Sequence, residues 1–213
     1  MAHESGAVTP PEQCSSDLED ALGRARAGHE DGFVLLYRSL QPGILRYVAT
    51  LVGPDAEDVA AEAWLQVARD LRSFSGDLDG FRGWVATIAR NRALDLLRAR
   101  SRRPVVLDDL VALSDRPSGD DTSEHALERL RTAQAVAMVA ALPREMAEAV
   151  MLRAVVGLDV PGTAAVLGKR PATVRVAAHR GLKRLAEQLR RCQHSADGPT
   201  AGPGAGPTLG GQA

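Results

Sequence analysis

The sequence predicts an all-α protein made of two small helical domains joined by a flexible linker. Three observations carry that prediction. Ala, Leu and Arg dominate the chain, and these residues lose little conformational freedom in a helix. Aromatic residues make up only 3%, and runs of β-branched residues are scarce, so strands have little to build on. Apolar side chains recur at three- and four-residue spacing through most of the length. With 45% hydrophobic residues in 213, each half can bury a core of its own.

The elements follow in order. Residues 1–16 are polar and contain prolines, and read as a disordered arm. From Asp17 the pattern turns helical, with Leu18, Leu22 and Ala25, then Phe33, Leu36 and Leu40. Leu45, Val48, Leu51 and Val52 carry it through a kink at Pro42, and "VGPD" ends it. A helix over 56–71 is expected to bury Val59, Ala63, Trp64, Val67 and Leu71 on one face. "SFSGDLDG" is a turn-rich break, and a helix from 81 to about 102 turns Trp84, Val85, Ile88, Ala89 and Leu96 inward.

Pro104 closes a first domain over 17–103. Residues 104–122 are acidic and include "DRPSGDD", the composition of a linker. A second domain over 123–192 opens with Ser123 as a helix cap, the helix running to about Leu142. "LPRE" marks a break, and short helices are expected over 143–155, 160–167 and 171–191. Residues 193–213 are rich in Gly and Pro and read as a disordered tail.

The formal net charge of −1 gives no global attraction to nucleic acid, but its distribution is uneven. Arg82, Arg90, Arg92, Arg98, Arg100, Arg102 and Arg103 form one basic block. Lys169, Arg170, Arg175, Arg180, Lys183, Arg184, Arg190 and Arg191 form another, with the acidic linker between. Two basic surfaces flanking an acidic connector suit a polyanion held at two places. Two solvated helix faces would give the same pattern.

Cys14 and Cys192 stand near opposite ends with no partner at metal-ligand spacing, so neither a disulfide framework nor a metal site is expected. No apolar run approaches the roughly 20 residues that cross a bilayer. The first residues lack the charged and apolar regions of a signal peptide, so a cytoplasmic location without membrane insertion is expected. The histidines His3, His29, His125, His179 and His194 accompany no nucleophile elbow, phosphate loop or metal pair. No enzymatic activity and no cofactor are expected.

Three segments carry candidate chemistry. "VPGTAAVLGKRPATVRVAAHRGLKRL" has the length pattern of a helix-turn-helix, whose second helix enters the major groove. Val174, Ala178, Gly181, Leu182, Leu185 and Leu189 are expected inward. Ala172, Arg175, Val176, His179 and Arg180 then face outward, and Arg170, Thr173 and Lys183 complete the candidate DNA-binding set. Arg175 suits a guanine edge, while Arg180 and Lys183 suit phosphates. Arg170 stands at the cap position, with Pro171 as the first helical residue. A basic amphipathic surface helix is the competing interpretation.

"FRGWVATIARNRALDLLRARSRR" offers Arg90, Asn91, Arg92, Asp95 and Arg98 on exposed turns. Polar groups that can pair with bases, beside cations that hold backbone, suit single-stranded nucleic acid. An ordinary amphipathic helix with local contacts between Asn91 and Asp95 fits as well. "DAEDVAAEAWLQVARDL" gathers Asp55, Glu57, Asp58 and Glu62 at a helix start, which either complements the helix dipole or docks a partner protein.

In this order and spacing, the three segments resemble a bacterial RNA polymerase sigma factor of the extracytoplasmic-function group, over about residues 17–189. "DAEDVAAEAWLQVAR" is similar to the family's polymerase-binding helix. "FRGWVATIARNRALDLLRARSRR" is similar to its segment for melting and reading the minus-ten element, in region 2. The stretch from "LPREMAEAV" to "HRGLKRL" resembles its region 4, a helix-turn-helix that reads the minus-thirty-five element.

The resemblance implies that Asp55, Asp58, Glu62 and Trp64 meet the clamp helices of core RNA polymerase. It also implies that Arg90, Asn91, Arg92, Asp95 and Arg98 hold the opened strand, that the second domain rests on the polymerase flap, and that an anti-sigma factor is a partner. The chain departs from the family pattern where Ala61 replaces Gln and Ala177 replaces Arg. In the first helix of the helix-turn-helix, Gly162, Thr163 and Ala164 lack the usual acidic residue. A stand-alone helix-turn-helix regulator would account for the C-terminal half, and would leave the "FRGWVATIARNR" block without a role.

Overall fold

The computed structural model describes residues 11–102 and 123–196. The segment expected to be the linker, 104–122, lies outside the described residues, as do 1–10 of the arm and 197–213 of the tail. Eight α-helices and two single 3-10 turns make up the described chain, with no strand among them.

Helix α1, Pro11–Ala27, begins six residues before the expected Asp17, so the last part of the expected arm is helical. Proline suits this place, because its fixed φ matches a helix and its missing N–H is unpaired in any first turn. The chain turns at Gly28 and enters α2, Glu30–Val52, which accommodates Pro42 without ending. A 3-10 turn over Gly53–Asp55 leads into α3, Ala56–Asp70. After a second such turn, Leu71–Ser73, α4 runs from Leu78 to Arg102. Its first residue lies three before the expected Phe81, and Asp77 caps it. Its Oδ1 accepts from the Gly80 N–H at 2.8 Å, and its carbonyl accepts from Phe81 N–H at 2.9 Å.

These helices close over Leu36, Ile44, Tyr47 and Val48 of α2, Val59, Ala63 and Val67 of α3, and Phe81, Val85 and Ala89 of α4, all buried. Each large apolar side chain buried in this way contributes about 1.5–3 kcal/mol. Phe74, just before α4, stacks on Trp84 with centroids 5.1 Å apart and meets Phe81 edge-on at 5.5 Å, which pins the turn-rich break to α4.

The second half comprises α5 (Ser123–Ala140), α6 (Arg144–Ala154), α7 (Val160–Leu167) and α8 (Pro171–Ala196). Asp159 caps α7, its Oδ1 accepting from the Gly162 N–H at 2.6 Å. Gly168 ends it at φ 62°, the left-handed conformation that a residue without a Cβ adopts at no cost. Arg170 takes the cap position of α8 with its carbonyl accepting from Val174 N–H at 3.2 Å, and Pro171 opens the helix as the sequence predicts. The helix continues five residues beyond the expected Arg191.

The two halves do not stand apart. Val139, Leu142, Met151, Leu152, Val156, Leu158 and Val166 join the same hydrophobic cluster as Leu36, Tyr47, Phe81 and Ala89. Helices α5 and α6 pack on α2, and α7 packs on α4. Such contacts join residues far apart in sequence, and periodicity within one helix carries no sign of them.

Candidate nucleic-acid interface

Helix α8 presents the upstream candidate surface. Val174 and Gly181 are buried against α6, and Ala177, Ala178 and Leu185 are half-buried, which sets the inward stripe. Arg170, Thr173, Arg175, Val176, His179, Arg180 and Lys183 all lie on the exposed side, so one face gathers the whole predicted set. Two residues expected inward are not: Leu182 is 53% exposed and Leu189 49%. Leu182 falls one position off the stripe through Gly181. Leu189 lies on the overhang of a 26-residue helix that packs on an 11-residue one.

The turn before α8 is tied down by Lys169, whose Nζ donates to Glu145 Oε1 of α6 at 2.8 Å. That hydrogen bond, and the Lys169 charge behind it, hold the Glu145 carboxyl below its ordinary range. Lys169 is therefore committed to the fold of the motif, and Arg170 is left as the exposed cation of the turn.

Helix α4 presents the downstream candidate surface. Asn91, Asp95 and Arg98 are exposed at four- and three-residue spacing, hence on one face. Arg98 Nη1 and Asp95 Oδ1 form an ion pair at 2.8 Å within that face. Two other predicted members are turned to different work. Arg92 is half-buried and donates from both Nε and Nη2 to Gln66 Oε1 of α3, at 3.2 and 2.8 Å. Arg90 points into the second half, where its Nε meets Glu148 Oε2 at 2.9 Å.

The acidic start of α3 divides in the same way. Asp58 and Glu62 are exposed. Asp55 is spent on an ion pair with Arg100, which ties the start of α3 to the end of α4. Trp64, assigned by resemblance to the polymerase contact, is only 5% exposed. Its indole N–H donates to Gln41 Oε1, and its ring lies edge-on to Tyr37 at 4.9 Å and Phe33 at 6.0 Å. The tryptophan faces α2 and supports α3 from beneath, and the outer face of α3 presents Asp58 and Glu62 instead.

Sequence reasoning missed Leu65, which is 64% exposed on the same outer face as Asp58 and Glu62. The signal was available: Leu65 falls off the stripe of Val59, Ala63 and Val67 and sits three residues after Glu62. It also missed Glu148, 2% exposed and engaged by both Arg90 and Arg144, although a lone carboxylate inside "AEAVML" was the clue. Among the described residues, no cluster of His, Cys, Asp and Glu could hold a metal ion, and no helix is long and apolar enough to cross a membrane.

Comparison with known proteins agrees with both halves. Residues 36–103 match the family model for Sigma-70 region 2, and residues 132–185 match that for Sigma-70, region 4. The ECF RNA polymerase sigma factor BldN of Streptomyces coelicolor is 30% identical over 178 residues, covering 82% of this chain and 67% of the relative. ShbA of Streptomyces griseus, also an ECF RNA polymerase sigma factor, is 33% identical over 174 residues, covering 76% and 87%. Among solved structures, CnrH in complex with the cytosolic domain of CnrY shares the fold with a TM-score of 0.57 at 21% identity, over 82% of this chain and 98% of that one. The sigma factor RpoE in complex with the anti-sigma factor NepR, from Bartonella quintana, does so at 0.54 and 19%, over 74% and 96%. With both sigma regions in one chain of exposed reading helices, the protein belongs to the extracytoplasmic-function group of bacterial RNA polymerase sigma factors, which direct promoter-specific transcription initiation.

Proposed function

We propose that this chain binds core RNA polymerase in the cytoplasm through the outer face of α3, opens and reads the minus-ten element with α4, and reads the minus-thirty-five element with α8. The observation that carries the reading is the pair of separate exposed polar faces, Asn91–Asp95–Arg98 on α4 and Arg175–Val176–His179–Arg180 on α8. The α8 face has the cations and the apolar side chain that duplex readout in a major groove uses. The α4 face combines amide and carboxylate groups with a cation, as suits bases lifted from a stack beside a phosphate backbone.

Asp58, Glu62 and Leu65 together make an acidic face with an apolar centre, and such a face fits a basic, partly apolar helical partner on the polymerase clamp. The chain itself carries out no covalent step. Its contribution is binding energy, used to position polymerase and hold opened DNA. Two similar folds occur in complexes, one with an anti-sigma factor and one with a cytosolic domain, and an anti-sigma partner fits this chain too.

The test is reconstitution. The purified chain is added to core polymerase with a library of candidate promoters, and transcript starts are mapped. Starts that require the chain support the reading, and a chain that never associates with core polymerase overturns it.

A further inference from the structure

Val176, in the second turn of α8, is a large apolar side chain that stands 48% exposed. A lone apolar residue at a surface is ordinary, and it is the neighbours that set this one apart. At about 100° per residue, Ala172, His179 and Val176 fall within about 60° of one another around the helix. Arg175 flanks them on one side and Arg180 on the other, and all five are exposed. Among the described residues, neither of these arginines has a carboxylate or hydrogen-bond partner, whereas Arg90, Arg92, Arg98, Arg100 and Arg144 each have one.

A helix lying in a major groove meets base edges with the middle of its face and phosphates with its flanks. Val176 therefore faces base edges, and its side chain has neither donor nor acceptor. Covering an amino or carbonyl group there without offering it a partner costs binding energy. The one apolar group that B-DNA presents in this groove is the C5-methyl of thymine. Arg175 precedes Val176 in the chain, and its guanidinium suits the O6 and N7 of guanine. Successive residues advance about 1.5 Å along a helix, less than the roughly 3.4 Å between base pairs, so the two contacts fall on neighbouring bases.

We propose that Val176 is a specificity-determining residue that selects a thymine in the upstream element, beside the guanine read by Arg175, by covering the thymine C5-methyl. The proposal rests on α8 being the upstream reading helix, and adds which base one of its side chains selects. Shielding a methyl group from water is worth about four-fold in affinity. Cytosine is disfavoured twice at that place, because it lacks the methyl group and carries an amino group where thymine has O4. 5-Methylcytosine is disfavoured only once.

The experiment uses the full chain bound to core polymerase, with duplex promoters that carry the mapped upstream element. Each thymine of that element is replaced in turn by deoxyuridine, which removes the methyl group alone. At one thymine beside a guanine, the parent should lose about four-fold in affinity. Val176→Ala, whose fold is checked by circular dichroism, should bind the thymine and deoxyuridine duplexes alike. Cytosine at that position should bind the parent more weakly still. 5-Methylcytosine should then recover about four-fold with the parent and nothing with Val176→Ala.

A scan in which no thymine methyl matters to the parent overturns the proposal, as does a methyl effect that survives in Val176→Ala. Arg175→Ala then separates the two levels. If it lowers affinity for the upstream element, α8 remains the reading helix and only the valine contact is lost. If it leaves that affinity unchanged, α8 does not touch the element, and the reading of α8 falls with the proposal.

Discussion

Arg92 of α4 reaches Gln66 of α3 with two donors on one acceptor, Nη2 at 2.8 Å and Nε at 3.2 Å from Oε1. This fork couples α3, the proposed polymerase-facing helix, to α4, the proposed strand-facing helix. Gln66→Ala removes the acceptor and leaves a half-buried guanidinium without it. A hydrogen bond to a charged group is worth about 1.5–3 kcal/mol, and a loss near the low end is expected because water reaches the site. We expect thermal unfolding to fall by several degrees, and promoter opening, followed by permanganate reactivity of unpaired thymines, to fall more than binding to core polymerase.

Leu65 and Trp64 are neighbours in sequence with opposite exposure. Leu65→Ala removes a side chain that is 64% exposed, so stability should change by less than about 0.5 kcal/mol. Affinity for core polymerase should nonetheless drop about ten-fold, or about 1.4 kcal/mol. Trp64→Ala should cost about 3–5 kcal/mol of stability by opening a cavity between α2 and α3. Chemical denaturation and equilibrium binding on the same two variants check the pair. Loss of affinity without loss of stability in Trp64→Ala would reverse the assignment.

Arg175→Ala should weaken and relax recognition of the upstream element by about 1–3 kcal/mol, while core polymerase affinity stays unchanged. Arg180→Ala and Lys183→Ala should instead weaken binding evenly across sequences, each lowering the slope of log K against log salt by about one. Gel-shift titrations at several salt concentrations on matched and altered elements distinguish the two behaviours.

Tyr47 gives the chain an alkaline limit. Burial, and then the negative charge of Glu148, push its hydroxyl above the ordinary value near 10 against the opposing pull of Arg90 beside it, and no hydrogen bond of good geometry reaches that hydroxyl. Below about pH 10 neither folded nor unfolded chain ionises this group, so its contribution is fully present. Above that, the unfolded chain alone releases the proton, and stability falls by up to about 1.4 kcal/mol per pH unit. Tyr47→Phe should be near neutral at pH 7 and should flatten the fall above pH 10 in denaturation curves. A large loss at pH 7 would mean that the hydroxyl is bonded after all.

Local features were legible in the sequence because they depend on neighbours in the chain. The inward stripe of α3, the start of α8 at Pro171 and the cap-like place of Arg170 all follow from spacing and backbone chemistry. Resemblance assigns Trp64 to the polymerase contact while the structure buries it, because family position says that a helix meets polymerase, not which of its side chains faces out. Leu182 and Leu189 were expected inward because any leucine near a stripe fits it loosely, whereas a 26-residue helix on a shorter partner leaves some uncovered. Glu148 and Arg90 are separated by 58 residues, and no periodicity within a helix reports a pairing of that kind.

Footprinting of one promoter, with the chain alone and with the chain bound to core polymerase, tests the central claim most directly. We expect little protection from the chain alone, and with polymerase two protected patches roughly 25 base pairs apart, about 80 Å along the duplex. A single operator protected equally well by the chain alone would contradict it.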